Sequence, residues 1–464
     1  MRGSEPKHDE STGQNSQLRE PAGKFSLLDA LRQRRSRRFG LGMKIPAGPL
    51  AYESRHKPAA LTEDEEAAMV FAACGITGHA LADLCYAKGQ GGGIMAGLVA
   101  RTIASGDGLQ SVALVVINDR GAWLMRRPRD FPAAEISGLI ELGQRGEFAE
   151  LYRRGRVQIA DQRPRPPTEP LFNLNVNRWS AHAPGSTGFL PVNDLTFMYV
   201  NGLLEVLNEE TGAFIVDERN RFLPAGLAKF ARSRGGHLED HPRQGRLVTV
   251  RQVEQFVSEF VTVEQGMMLQ NLGLMAEALG LGGYPNFANH EFAWFKALGF
   301  RLEEMPASRY VGAGRWLSLG MQLMKRNPAI PYPVGLERGG QVLLKPFCPP
   351  AYRSMADAVR AVAEIKFGAD GIFRSPNQGG PWLRHPEVIQ QVPACSEAAI
   401  AATTAYCEYL WSRYGRFPVH MPPYRTVLNF QASHLDAEFY DKFYPATVLG
   451  GTQRKDFGKN ASAK

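Results

Sequence analysis

The sequence predicts a folded protein that mixes helices with short strands, and three stretches carry that reading. Residues 270–300 read as a helix, a glycine turn, an extended segment and a second helix. Residues 111–117 form a continuous β-rich run of the kind that makes a buried strand. The turn Asn118-Asp119-Arg120-Gly121 sends the chain back through residues 122–125 as a hairpin. Residues 195–207 are a clear apolar helix. With 464 residues, 44% of them hydrophobic, the chain is long enough for two or three domains or one decorated domain.

Residues 270–300 organise the rest. Leu272, Met275, Ala276 and Leu279 recur at helical spacing, and Val263, Met267 and Met268 extend the same face backwards. The helix is predicted to end at Gly280, with Gly282 and Gly283 allowing a sharp turn. Tyr284-Pro285-Asn286-Phe287 then leaves as an extended loop, since Pro cannot continue a helix. Residues 289–297 resume as a helix. The bland interpretation is an ordinary packing unit; the sharper one is a set of backbone N–H groups facing something flat or anionic.

Composition narrows the class. No apolar run approaches the roughly 18 residues of a transmembrane helix. The polar start, residues 1–24, has no apolar core of a secretory signal and is expected to be disordered. Cys74, Cys85, Cys348, Cys395 and Cys407 include no CxxC pair, which suits a reducing cytoplasm and gives no zinc pattern. The net charge of +8 fits nucleic acid, a phosphate-bearing cofactor or an acidic substrate equally well.

Much of that charge is local. Residues 25–31 form a short amphipathic helix that Ser26 can cap, and Arg32, Arg34, Arg35, Arg37 and Arg38 follow at once. Such a run is an exposed basic face, a nucleic-acid patch, or a phosphate clamp of guanidinium forks and a hydroxyl. The nucleic-acid reading lacks interleaved aromatics.

Thr62 and Glu65 make a capping box for a helix over 63–73, and residues 75–88 read as further helix. Residues 89–96 contain G-x-G-x-x-A, but no convincing strand precedes it, so a dinucleotide site is weakly supported. Residues 104–110, Ala-Ser-Gly-Asp-Gly-Leu-Gln, are a small-residue loop before the buried strand, a place where a ring or sugar can approach the backbone. Residues 131–154 read as helix and 163–170 as a Pro-rich crossing. Residues 173–193 read as a loop or lid in which His182 is a candidate acid. Helices are predicted over 315–324, 354–367 and 396–414, and strands over 213–216, 341–347 and 427–431. His434, Asp436 and Glu438 offer too few ligands for a metal by themselves. Residues 448–464 look disordered.

Three stretches, taken together, resemble the FMN-dependent nitroreductase superfamily, with its azoline-oxidising branch about as close. Arg34-x-Ser36-x-Arg38 resembles the R-x-S-x-R that follows the first helix there. Ser105 and Gln110 occupy the place of its loop before a strand, without the loop's Pro. Residues 278–282 and 285–288 resemble its flavin-edge turn and loop. The resemblance implies an α+β, three-layer fold: a mostly antiparallel sheet flanked by helices. It implies a flavin domain over 25–345, a C-terminal helical extension over 346–447, and a homodimer. The implied function is an FMN-dependent oxidoreductase passing hydride between NAD(P)H or a metabolite and a small organic substrate. The implied cofactor residues are Arg34, Arg35, Ser36 and Arg38 at the phosphate, Ser105, Gly106, Asp107 and Gln110 in the loop, and Pro285, Asn286, Phe287 and Ala288 at the ring. The alternative is a non-catalytic module that binds FMN or another phosphate ligand to shape a partner surface.

Overall fold

The computed structural model describes residues 23–81, 93–169, 175–287, 291–375, 377 and 379–461. In chain order, the elements that build the candidate site are helices α1 (Leu27–Gln33) and α2 (Glu63–Cys74) and strands β1 (Val112–Asn118), β2 (Gly121–Met125), β3 (Arg156–Ala160) and β4 (Thr187–Asp194). Helices α3 (Leu195–Val206) and α4 (Val250–Leu279) follow, then strands β5 (Gly282–Phe287), β6 (Tyr424–Arg425) and β7 (Leu428–Ser433), and helices α5 (Ala437–Phe443) and α6 (Gly451–Ala461).

The main sheet runs in the order β5-β7-β4-β1-β2-β3, with β6 also pairing β4, and every pair is antiparallel. All of β1 is buried because both faces of the sheet are covered. Val112, Leu114 and Val116 pack with Met268, Leu272 and Ala276 of α4. Ala113, Val115 and Ile117 pack with Trp294, Phe295 and Leu298 on the opposite face. A strand buried on both sides needs no alternation, which is why its sequence is a continuous apolar run. A second core joins α3 and the start of α4 to helices Met355–Phe367 and Glu397–Tyr414.

Helix α4 forms where the apolar spacing predicts it. Thr249 and Gln252 close a capping box at its start. Gly280 ends it at φ 79°, and Leu281 N–H reaches back to Ala276 O at 2.9 Å. A side chain at Gly280 would lie 2.4 Å from Thr452 O. Gly280→Ala is therefore expected to cost at least the 1–2 kcal/mol of a left-handed alanine, roughly, and to loosen α6. Urea unfolding checks this; an unchanged stability would contradict the packing.

Several expectations need correction. The helix expected over 75–88 does not begin as expected: Gly75 ends α2 and Ile76–His79 is a strand paired with Val99–Arg101, while residues 82–88 lie outside the described residues. The glycine-rich stretch begins within residues 82–92, outside the described residues. The helix expected over 131–154 is two, Ala133–Arg145 and Phe148–Gly155, split at Gly146 with φ 70°.

The loop expected up to residue 193 contains β4, whose eight residues are all buried. Pro191 made that strand hard to see. It sits at the break between β7, which pairs residues 187–189, and β6, which pairs 193–194, so one flank has no rung there to lose.

Nor is the region after residue 345 an appendage, because β7 lies inside the main sheet between β5 and β4. The tail expected to be disordered contains α6, with Gln453 and Asp456 buried against the rest. No described helix is long and apolar enough to cross a membrane.

Candidate functional site

The arginine segment and the turn after α4 meet. Ser26 accepts from Asp29 N–H and starts α1; the chain leaves it at Arg34. Arg37 then forms a bridge with Gly283 near the start of β5, and Gly40 one with Leu435 just after β7, so the segment passes the ends of both strands. A side chain at Gly273 on α4 would touch Arg34 Cδ at 3.7 Å, which puts Arg34 against the same helix end.

The arginines divide into two kinds. Arg37 is buried and pairs with Glu277 at 2.5 Å, both side chains under 5% exposed. Its Nε also donates to Val448 O at 2.9 Å. Glu277 further accepts from Arg35 N–H at 2.9 Å and Gln453 Nε2 at 2.9 Å. Arg38 lies 4.4 Å above the Tyr284 ring and donates from Nη2 to Val176 O, Asn177 Oδ1 and Ser180 Oγ. The guanidinium expected in the clamp is thus committed to the protein. Arg34, Arg35 and Ser36 differ: their side chains are exposed, and no hydrogen bond or ion pair engages them among the described residues.

The loop before β1 sits elsewhere. Ser105 Oγ donates to Glu264 Oε1, Ser111 Oγ donates to Oε2 at 2.8 Å, and Gln110 N–H donates to Ser105 Oγ at 2.8 Å. Gln110 Nε2 donates to Val99 O, and a side chain at Gly106 would strike Phe260. The Asp107 side chain lies outside the described residues. Glu264 precedes Glu277 by about 20 Å of helix at 1.5 Å per residue. Ser105, Gly106 and Gln110 therefore brace α4 and do not join the arginines.

Strand β5 carries the other half of the site. Tyr284 is opposite Gln431, and Asn286 opposite Asn429. These four side chains line a narrow cleft of about 20 Å³ with His182 and Trp294. Asn429 Oδ1 is buried there with no donor in reach among the described residues. Pro285 and Phe287 are exposed, Phe287 by 59%, and Ala288 lies outside the described residues. Four residues of strand put about 13 Å between Gly283 and Phe287.

His182 packs edge-on against Trp294 at 5.2 Å between ring centres. Burial, reinforced by Arg163 and Arg165, pushes its imidazole down to about 4. At neutral pH it carries no extra proton, which removes it as an imidazolium acid.

Beyond Phe287 opens a larger cavity of about 560 Å³, lined by Glu291, Tyr310, His420, Arg425 and Thr426 among others. Burial raises the Glu291 carboxyl above its usual range. Thr426 Oγ1 is buried without a partner among the described residues. Arg219 Nη2 lies 2.8 Å from His420 Nδ1, so that nitrogen accepts, and His420 Nε2 lies 3.0 Å from Glu218 Oε1. Burial and Arg219 push His420 down to about 4.

A base held neutral in the fold stabilises it above the unfolded value near 6.5 and loses that contribution as pH falls through about 4. Acidification from pH 7 to 4 is thus expected to remove about 3 kcal/mol through this group. In His420→Asn the acid slope of the unfolding free energy should flatten; an unchanged slope would contradict the assignment.

The cavity residues carried no local sequence signal. His420 and Arg425 lie more than 130 residues from Phe287 in the chain, and only β7's insertion beside β5 brings them there.

The fold and site define a mixed helix-and-sheet protein in which an exposed basic segment, whose Arg34 and Arg35 side chains are unpaired among the described residues, meets the edge of the main sheet. No family model matches the chain, and no curated protein matches it. Among solved structures it is similar to a crystal structure described as a "putative nitroreductase" from Ralstonia eutropha. The identity is 12% and the TM-score 0.28, over 64% of this chain and 80% of that one. A likeness of that size assigns no role to any residue here.

Proposed function

We propose that the chain is an FMN-dependent oxidoreductase acting on a small organic molecule. The observation that carries this is the meeting of three groups unpartnered among the described residues, Arg34, Arg35 and Ser36, with the edge of β5 through the Arg37–Gly283 bridge. Exposed guanidinium forks and a hydroxyl at one place suit a terminal phosphate.

The 20 Å³ cleft is too small for a flavin ring, whereas the 560 Å³ cavity beyond Phe287 lies within the range of small-molecule sites. Arg34, Arg35 and Ser36 would hold the phosphate, and Phe287, which lines the larger cavity, would support the ring. FMN, when bound, supplies reversible acceptance of a hydride. The protein's own part is to orient the substrate and exclude water. Arg425, steadied by Ser258 Oγ at 2.7 Å, offers a cation to an acidic substrate group, and Thr426 Oγ1 offers a hydroxyl.

The test is spectroscopic. Purified protein incubated with FMN and desalted should retain the flavin's visible absorption, and NAD(P)H or a dehydrogenated metabolite should bleach it. Retained flavin that no reductant bleaches would point to a binding module. Protein that retains no flavin would refute the oxidoreductase.

A further inference from the structure

Around residue 436 the fold assembles a set of groups that the flavin reading does not use. Asp436 precedes α5 and is fully buried. Its Oδ1 accepts from Phe439 N–H at 3.3 Å and caps the helix. Its other oxygen, Oδ2, is buried with no hydrogen-bond donor among the described residues. An unmatched carboxylate oxygen in the interior is costly, and such a group usually marks a water or an ion.

Two further ligand atoms lie near the Asp436 carboxylate. His56 Nε2 lies 3.3 Å from Glu438 Oε1, and His56, Asp436 and Glu438 each place one ligand atom within 4.8 Å of the others. An ion with bonds of about 2.1 Å separates tetrahedral ligands by roughly 3.4 Å, so only a small closing motion is required. His56 arrives from the segment after the hairpin strand Tyr52–Glu53, and its ring sits edge-on to Phe457 of α6 at 5.2 Å. Tyr52 stands beside the set, its hydroxyl 3.5 Å from Glu438 Oε2.

The neighbouring triad of Glu65, His434 and Asp456 is different. His434 Nδ1 faces Asp456 at 2.9 Å and Nε2 faces Glu65 at 3.6 Å. The two carboxylates flank opposite nitrogens of one ring, and Glu65 Oε2 already accepts from Thr62 N–H and Oγ1. That arrangement is an ion triad holding α6 against α2, not a cation cage.

We infer that His56, Asp436 and Glu438 bind one divalent transition-metal ion, of the manganese-to-zinc series, through one imidazole and two carboxylates. One nitrogen and two oxygens suit that series, and three protein ligands leave a position for water. The ion would answer the unmatched Asp436 oxygen and pin the 52–56 segment to the start of α5. Tyr440 on α5 accepts from Arg38 and Phe39 N–H at 2.9 and 3.1 Å, so α5 holds the arginine segment in place. The ion's role is structural, and its presence does not depend on flavin.

The test uses the full chain stripped with EDTA and dialysed. Titration calorimetry with Zn²⁺ and Mn²⁺ should show one site per chain, and Co²⁺ should give visible bands of low-symmetry coordination. His56→Gln and Glu438→Gln, both partly exposed positions, should each weaken binding at least tenfold, as should Asp436→Asn, which keeps the helix cap. No uptake overturns the site and leaves water as the partner of Asp436. Uptake of equal affinity in His56→Gln and Glu438→Gln also overturns it, as does uptake of Mg²⁺ or Ca²⁺ alone.

Discussion

Replacing Arg34 and Arg35 together by Ala is expected to weaken FMN binding by roughly 100-fold or more while leaving the fold intact. A hydrogen bond to a charged group is worth about 1.5–3 kcal/mol, and two such groups on one phosphate give at least about 3 kcal/mol. Both side chains are exposed and make no hydrogen bond or ion pair among the described residues, so removing them breaks no polar contact in the fold. Arg32 is the control. It is 80% exposed and its nearest acid, Asp29, is 3.9 Å away, so Arg32→Ala should leave binding within twofold, roughly. Fluorescence titration of FMN reads both. An unchanged affinity in the double variant would remove the phosphate from this edge.

Glu277→Ala is expected to be the most damaging single change to the fold near the site. One carboxylate there receives the buried Arg37 guanidinium, the Arg35 N–H and the Gln453 side-chain amide. It thereby fastens the arginine segment, the end of α4 and α6 at one point. Removing one partner of a buried pair leaves a charge without compensation, which costs about 3–5 kcal/mol. Glu277→Gln keeps the shape but not the charge and should fall in the same direction. Urea unfolding measures the loss, and proteolysis should find α6 more readily cut. A change within about 0.5 kcal/mol, the range of ordinary surface substitutions, would contradict the role given to this pair.

What the sequence made legible was local. The span of α4, its stop at Gly280, the capping box at Thr62, the helix start at Ser354, and the hairpin of β1 and β2 each follow from spacings of a few residues. What it hid was long-range. Strand β4 contains Gly188 and Pro191, which read as breakers until β7 and β6 are seen to leave a gap at Pro191. Nothing local announces that β7 slots between β5 and β4, so the C-terminal third looked like an addition.

The candidate site shows the same split. The run of arginines was visible, but which of them are free was not, because Arg37 is claimed by Glu277 and Arg38 by Asn177 and Ser180, at separations of 240, 139 and 142 residues. Ser105 and Gln110 sat in a plausible loop, yet Glu264 claims that loop as a brace on α4. His56 and Glu438 stand 382 residues apart, beyond any motif.

The affinity of the intact protein for FMN, measured beside that for riboflavin, is the sharpest single reading. The two ligands share the ring and ribityl chain and differ only in the phosphate that Arg34, Arg35 and Ser36 would grip. FMN bound at least roughly 100-fold more tightly is the predicted result. Equal affinities, or no binding of either, would contradict it.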